Sequence, residues 1–449
     1  MRAPPHHAAR TLLALTRAPR VPCSLSASVS ARPGYLYGLP VVVKDTMPLE
    51  GVRFTNGSAL VDCVAARSDL TVRILEANGA ICLGKSNTPE FAAGSNTFNA
   101  LFGATVNPFD TRMTCGGSSG GSGAALAAGM CFGATGSDLG GSLRIPASFC
   151  GVVGLRPAPG RVPRGPVASP LDRLAVNGPM GRDVLDTALM LDAMVAPAGG
   201  EGEGKGEGEG AAAMVMADPL ALPAPRESFA AAAARAAPPA RVAWSRDLGG
   251  ISPVEPEVAD VCERAARLFG SELGASVEDA CVDLSDAEAL FRTLRADGMA
   301  RTFEEVVADP EKRAILKPDL LWNIDYGLKK QSAADVRAAQ RAHAALIYRA
   351  AAFFEEYDVL ATPCVMTAPF DVNVPWLKVR ARGGAVAARA APRERVTGTG
   401  DAPRGADVPA LLLVLTHCHT HHHITRTPTH LPPRRSPGWS CRTTPSGCA

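Results

Sequence analysis

Gly38-Leu-Pro-Val-Val-Val-Lys-Asp45 opens the orderly part of the chain. Its apolar run from Leu39 reads as a buried strand, bounded by Gly38 before it and by the Asp45 to Gly51 turn region after it. Lys44 falls at that strand's end. Asp69 then reads as a helix N-cap, with Leu70, Ile74 and Ala77 on one face and Gly79 as C-cap, and Ala80-Ile-Cys-Leu83 as the next strand. Helical patterns at 183–195, 255–269, 285–307 and 334–356 alternate with short apolar segments such as Val242-Ala-Trp244 and Val359-Leu-Ala361. This alternation predicts an α/β protein with a parallel or mixed sheet.

With 449 residues and 46% apolar content the chain can bury a large core. Its 46 basic and 44 acidic residues leave a net charge of +2, so no bulk field points to nucleic acid or an anionic membrane. The 12 cysteines include no Cys-x-x-Cys pair and read as reduced core thiols. The run Ala410 to Leu415 is far shorter than the roughly 20 residues that span a bilayer. Residues 1–34 form a leader-like segment: the first 44 residues hold no Asp or Glu but several Arg and Ser, as transit peptides do, although Arg/Ala/Pro-biased coding gives the same composition. The cytoplasm, a mitochondrion or a plastid is the expected site. Residues 199–212, with Gly-Glu-Gly-Lys repeats, are expected to be a disordered insertion, and residues 377–449 a disordered tail.

Eight of the nine histidines lie in the leader or the tail, leaving His343 alone in the ordered part. Ser-His-Asp or Cys-His chemistry would have to use it, and its Ala-rich helical setting beside Arg341 reads as an ordinary helix position. The ordered part offers no His-Glu-x-x-His and no cysteine cluster, so no metal is expected. The tail tract Cys418-His-Thr-His-His-His423 could take Zn²⁺ or Ni²⁺ adventitiously and is assigned no function.

A serine nucleophile with a lysine base remains. In Asp138-Leu-Gly-Gly-Ser142 the glycines let successive N–H groups of Leu139, Gly140, Gly141 and Ser142 converge as an oxyanion hole beside the Ser142 hydroxyl. The loop Gly116-Gly-Ser-Ser-Gly-Gly-Ser122 presents Ser118 and Ser119, either able to relay a proton. A lysine base must be neutral, which means lowering its pKa by about three units, at about 4 kcal/mol. Lys44, behind Val41-Val-Val43, has the apolar surroundings for this, and Lys85 in Leu83-Gly-Lys-Ser-Asn87 is a rival. A phosphate cradle is disfavoured because the loop lacks a Gly-Lys-Ser/Thr ending.

Together with Gly136-Ser-Asp-Leu-Gly-Gly-Ser-Leu-Arg-Ile-Pro-Ala147, Cys150-Gly-Val-Val-Gly-Leu-Arg-Pro157 and Gly178-Pro-Met-Gly-Arg182, these stretches resemble the amidase signature family over about residues 35–376. The resemblance implies a mixed central sheet covered on both faces by helices, and a Ser-cisSer-Lys triad of Ser142, Ser118 and Lys44 that demotes Lys85. It implies hydrolysis of a non-peptide carboxamide C–N bond through an acyl-enzyme, with no cofactor. Asp138 and Arg144 would brace the nucleophile loop, face the substrate, or form a structural ion pair. The implied partner is a small-molecule amide, with no nucleic acid, the chain acting alone or as a homodimer. Thr88-Pro-Glu-Phe91 stands where the A subunit of glutamyl-tRNA amidotransferase typically has Met-Asp-Glu-Phe, which favours the stand-alone amidases. The family's N-terminal helices and closing segment are not matched. Residues 378–449 are therefore expected to be translated intron or a shifted frame, and an impaired homologue is the alternative to an active enzyme.

Overall fold

The computed structural model describes residues 34–167, 169–195 and 218–375, with residue 377 and the strands Ala381–Arg382, Ala385–Val386 and Leu412–Thr416. The leader up to residue 33, the 199–212 insertion and the His-rich tract lie outside the described residues.

The first sheet is built on β1 (Pro40–Lys44) and β2 (Ile81–Ser86), joined by α1 (Leu70–Ala77). The Asp69 side chain caps α1 by accepting from the Thr71 N–H. Asn78 is the closing cap residue, and Gly79, expected in that place, follows it at φ +78°, the left-handed turn that glycine takes without strain. The chain continues through α2 (Gly120–Ala127), β3 (Gly133–Asp138), α3 (Arg144–Cys150), β4 (Val153–Gly154), β5 (Val176–Gly181) and α4 (Val184–Met194). Strand order is β4-β5-β3-β1-β2, with β1 parallel to β2 and β3, and β5 antiparallel to β3 and β4.

The second half contributes β6 (Arg241–Trp244), α5 (Pro256–Ser271), β7 (Ser276–Asp279), α6 (Ala287–Ala308), α7 (Pro318–Lys330), α8 (Ala333–Glu356), β8 (Val359–Pro363) and β9 (Leu412–Thr416). They form a sheet of order β7-β6-β8-β9, parallel except for β9. The expected mixed α/β architecture is present, its hydrogen bonding carried by a five-stranded and a four-stranded sheet. One correction falls in the tail: Leu412–Thr416, within a segment expected to be disordered, is a strand paired with Val359–Pro363.

Two further elements are built from small residues: α2 over Gly120–Ala127, and strand β3, to which Gly136 to Asp138 belong. Both are rich in residues of low intrinsic propensity, and packing overrides that preference. A Cβ on Gly121 would lie 2.3 Å from the Asn87 backbone nitrogen, and one on Gly133 would lie 2.3 Å from Met190 Sδ. Small residues let the neighbouring backbone and helix approach closely.

Helices cover both faces of the first sheet. Val42 and Ala134 pack with Ala124, Ala125, Leu143 and Ala147 of the α2–α3 side, and Val41 packs with Met190, Leu191 and Met194 of α4. Strand alternation therefore sends Lys44 to the same face as Val42, towards α2. The eight described cysteines are all free thiols. Among the described residues, no helix is long and apolar enough to cross a membrane.

Candidate active site

Lys44 is fully buried, and its Nζ lies 2.7 Å from Ser118 Oγ, 3.0 Å from Ser119 Oγ and 2.9 Å from Ser137 Oγ. Its backbone N–H donates to Thr135 Oγ1 on β3, fixing the end of β1 against its neighbour. Burial lowers the Lys44 pKa from 10.5 to about 7, with the Asp138 carboxylate pulling the other way. Holding it there costs about 5 kcal/mol in the charged state. Burial of Val41, Val42 and Val43 contributes about 1.5–3 kcal/mol each and offsets that cost, so β1 can carry an amine into the interior.

The hydroxyl cluster stands at the start of α2, where the Gly117–Ser118 peptide bond is cis. A neutral amine has two protons and one lone pair, so one of the three hydroxyls must donate to it. Ser118 is the nearest. Ser119 Oγ also takes the Ser137 N–H, while its own N–H donates to the Ser142 carbonyl. That bond ties the two glycine-rich loops together. Ser142 is half-buried, and its hydroxyl makes no hydrogen bond among the described residues.

Asp138, at the end of β3, is fully buried and organises the loop that follows. Its carboxylate accepts from the N–H groups of Gly141 (2.8 Å) and Leu143 (3.1 Å) and from two nitrogens of Arg144 (3.0 and 3.1 Å), with Arg156 at 3.5 Å. Burial pushes this carboxyl up, but the Arg144 guanidinium and the two N–H groups outweigh it and hold it below the usual range. Gly141 has φ +108° and its N–H is committed to Asp138, so it does not converge with the other three expected donors. The N–H groups of Leu139, Gly140 and Ser142 make no hydrogen bond among the described residues.

Lys85 goes elsewhere. Its Nζ pairs with Asp45 at 2.9 Å and donates to the Met47 carbonyl, with no serine hydroxyl among its partners. His343 lies half-buried on α8, in the second half of the chain. Glu90 of Thr88-Pro-Glu-Phe91 accepts from Ser58 Oγ and from the Lys317 N–H at the start of α7, which gives this tetrapeptide a bracing task. Ser137 and Thr135 join the site without having stood out in the sequence. Their only signal is two hydroxyl residues spaced by two in Gly133-Ala-Thr-Gly-Ser-Asp138.

The mixed α/β fold is shared with amidase signature enzymes. The chain belongs to the amidase family, which cleaves carboxamide bonds: the family model Amidase matches residues 8–380. The match begins within the segment read as a leader. The chain is 34% identical over 342 residues to an acylamidase of Rhodococcus erythropolis, covering 76% of this chain and 67% of that protein. It is 33% identical over 380 residues to the A subunit of the glutamyl-tRNA(Gln) amidotransferase of Maridesulfovibrio salexigens, covering 75% and 71%. Among solved structures, a bacterial aryl acylamidase of the amidase signature enzymes superposes with a TM-score of 0.65 at 27% identity, over 75% of this chain and 68% of that one. The chain thus spans roughly two thirds of each relative's length.

Proposed function

We propose that the protein hydrolyses small carboxamides through an acyl-enzyme on Ser142, with Ser118 as proton relay and Lys44 as base. The observation that carries this reading is the 2.7 Å contact of a fully buried lysine, near neutral pKa, with the hydroxyl of Ser118. Ser142 Oγ attacks the amide carbon as its proton passes to Ser118 Oγ and the Ser118 proton passes to Lys44 Nζ. The oxyanion is received by the N–H groups of Leu139, Gly140 and Ser142, and Gly141 serves by anchoring the loop to Asp138. Collapse breaks the C–N bond, and the departing amine takes a proton back through Ser118. Water then attacks the ester by the same relay and releases the acid and free Ser142. The Ser118–Ser142 hydrogen bond forms when substrate closes the site. Asp138 and Arg144 hold the loop.

Labelling with a fluorophosphonate, together with ammonia release from a panel of primary amides, tests this. Label on Ser142 and turnover abolished in Ser142→Ala are expected; label elsewhere, or turnover independent of Ser142, overturns it.

The similarity to the A subunit of an amidotransferase supports a second reading, glutamine-dependent ammonia transfer within a larger assembly. The Thr88-Pro-Glu-Phe91 stretch and the similarity to an acylamidase favour the stand-alone enzyme. Hydrolysis of simple amides by the purified chain alone, without added partner proteins, separates the two.

A further inference from the structure

Gly140 of the nucleophile loop is covered from the second half of the chain. A Cβ placed on it would lie 3.0 Å from Cζ of Phe291, a tight approach, so the ring of this α6 residue rests close against the loop peptide. One helical turn further on, the guanidinium of Arg295 lies 5.4 Å from the Phe291 ring centroid. The next turn brings Gly298, whose missing Cβ would lie 4.0 Å from Asp172 Oδ2. Residues 291, 295 and 298 therefore form one face of α6 over the first half of the chain, with Arg295 between the nucleophile loop and the segment around Asp172.

Arg295 forms neither an ion pair nor a hydrogen bond among the described residues, and its Nε is buried without a partner. The contrast with its neighbours is chemical. Arg292 is paired with Glu288, and Arg301 with Asp297. A guanidinium with a desolvated, unused donor costs free energy unless a partner arrives, and its planar donor array matches a carboxylate. Stacking on Phe291 presets its orientation.

We propose that Arg295 is the substrate-specificity residue of the amide site and receives a carboxylate, making the preferred substrate an amide that also carries an acid group, such as a monoamide of a short dicarboxylic acid. The inference rests on the amidase reading for the location of the scissile bond, which lies on the other side of the Phe291 ring. Phe291 spaces the two ends of the substrate: the amide at Ser142 and the Leu139–Ser142 loop, the acid at Arg295.

The test compares succinamate, the monoamide of succinate, with the neutral butyramide of similar length, in the wild type and in Arg295→Met and Arg295→Lys. The ratio of kcat/KM for succinamate over butyramide should exceed one in the wild type. It should fall about 10- to 100-fold in Arg295→Met, with the loss carried by KM for succinamate, and recover in part in Arg295→Lys. An unchanged ratio, or an equal fall on both amides, overturns the proposal. A second arm measures succinate binding to Ser142→Ala by calorimetry, with and without Arg295→Met. Binding that needs Arg295 sustains the carboxylate site even where no amide is turned over, an outcome that would sink the catalytic reading instead. No Arg295-dependent binding and no Arg295-dependent preference together reject the site.

Discussion

Lys44 and Lys85 lie one register step apart on adjacent parallel strands, since Val43 aligns with Lys85 and Lys44 with Ser86. That single step sends them to opposite faces of the sheet. Both are buried, and burial lowers the pKa of both. Lys85 meets a carboxylate, Asp45, with a backbone carbonyl and the face of Phe54 nearby, and is engaged in an ion pair. Lys44 meets only hydroxyls, with its nearest influential carboxylate, Asp138, occupied by Arg144 and two N–H groups. Depth alone does not separate the two amines; their partners do.

The largest expected effect that could break this contrast is on turnover. Lys44→Met should lower kcat by about 10²- to 10⁴-fold in an amide-hydrolysis assay, as loss of a positioned base does. Turnover within tenfold of the wild type would remove Lys44 from the chemistry. Next comes stability. Lys85→Met leaves the buried Asp45 carboxylate without its cation, held only by the N–H and hydroxyl of Thr55, and should cost about 3–5 kcal/mol in urea unfolding; adding Asp45→Asn should recover part of the loss.

Lys44→Met should instead be neutral or stabilising near pH 7. The unfolded chain keeps a proton on Lys44 up to pH 10.5, the folded chain only up to about 7. Between those values the unfolded state binds more protons, so the Lys44 contribution penalises folding in full below pH 7 and fades as pH rises towards 10.5. The stability gap between Lys44→Met and the wild type should narrow over that window, and a gap that widens would reverse the assignment.

The same titration should appear in kcat/KM, which is expected to rise through pH about 7 as Lys44 becomes neutral. The smallest effect tests the hydroxyls. Ser137→Ala removes an acceptor of the ammonium form and should move that midpoint down, by about half a unit to one unit. An upward move would mean that Ser137 favours the neutral amine.

What is legible in the sequence follows from side-chain size. Pro40-Val-Val-Val announces β1, because a run of branched apolar residues before a lysine has few other homes. The serines of both glycine-rich loops stand out in the sequence for a related reason: glycine clusters mark backbone that must bend or be approached. β3 is not legible, because Gly133-Ala-Thr-Gly-Ser-Asp138 has almost no apolar pattern. Its small residues make room for Met190, Leu143 and Ser119, a requirement set by neighbours remote in sequence. Ser137 is hidden with it. Glycines also advertise freedom without direction, which is why the Gly141 N–H reads as aimed at substrate when Asp138 holds it. The partner of Lys85 is hidden too, since Asp45 and Lys85 are 40 positions apart and meet only once β1 and β2 pair.

The Asp138 carboxylate, held ionised by Arg144 beneath the loop that carries Ser142, acts on Lys44 as a reference electrode acts in a cell. Its own charge is constant across the range in which the lysine changes state. The pH response of the lysine is thereby simplified to one proton on one group, with a midpoint set first by burial and raised by a fixed neighbouring charge. Any loosening of the Asp138–Arg144 clamp would move the loop and the midpoint together, so the geometry of the loop and the acidity of the lysine share a single calibration.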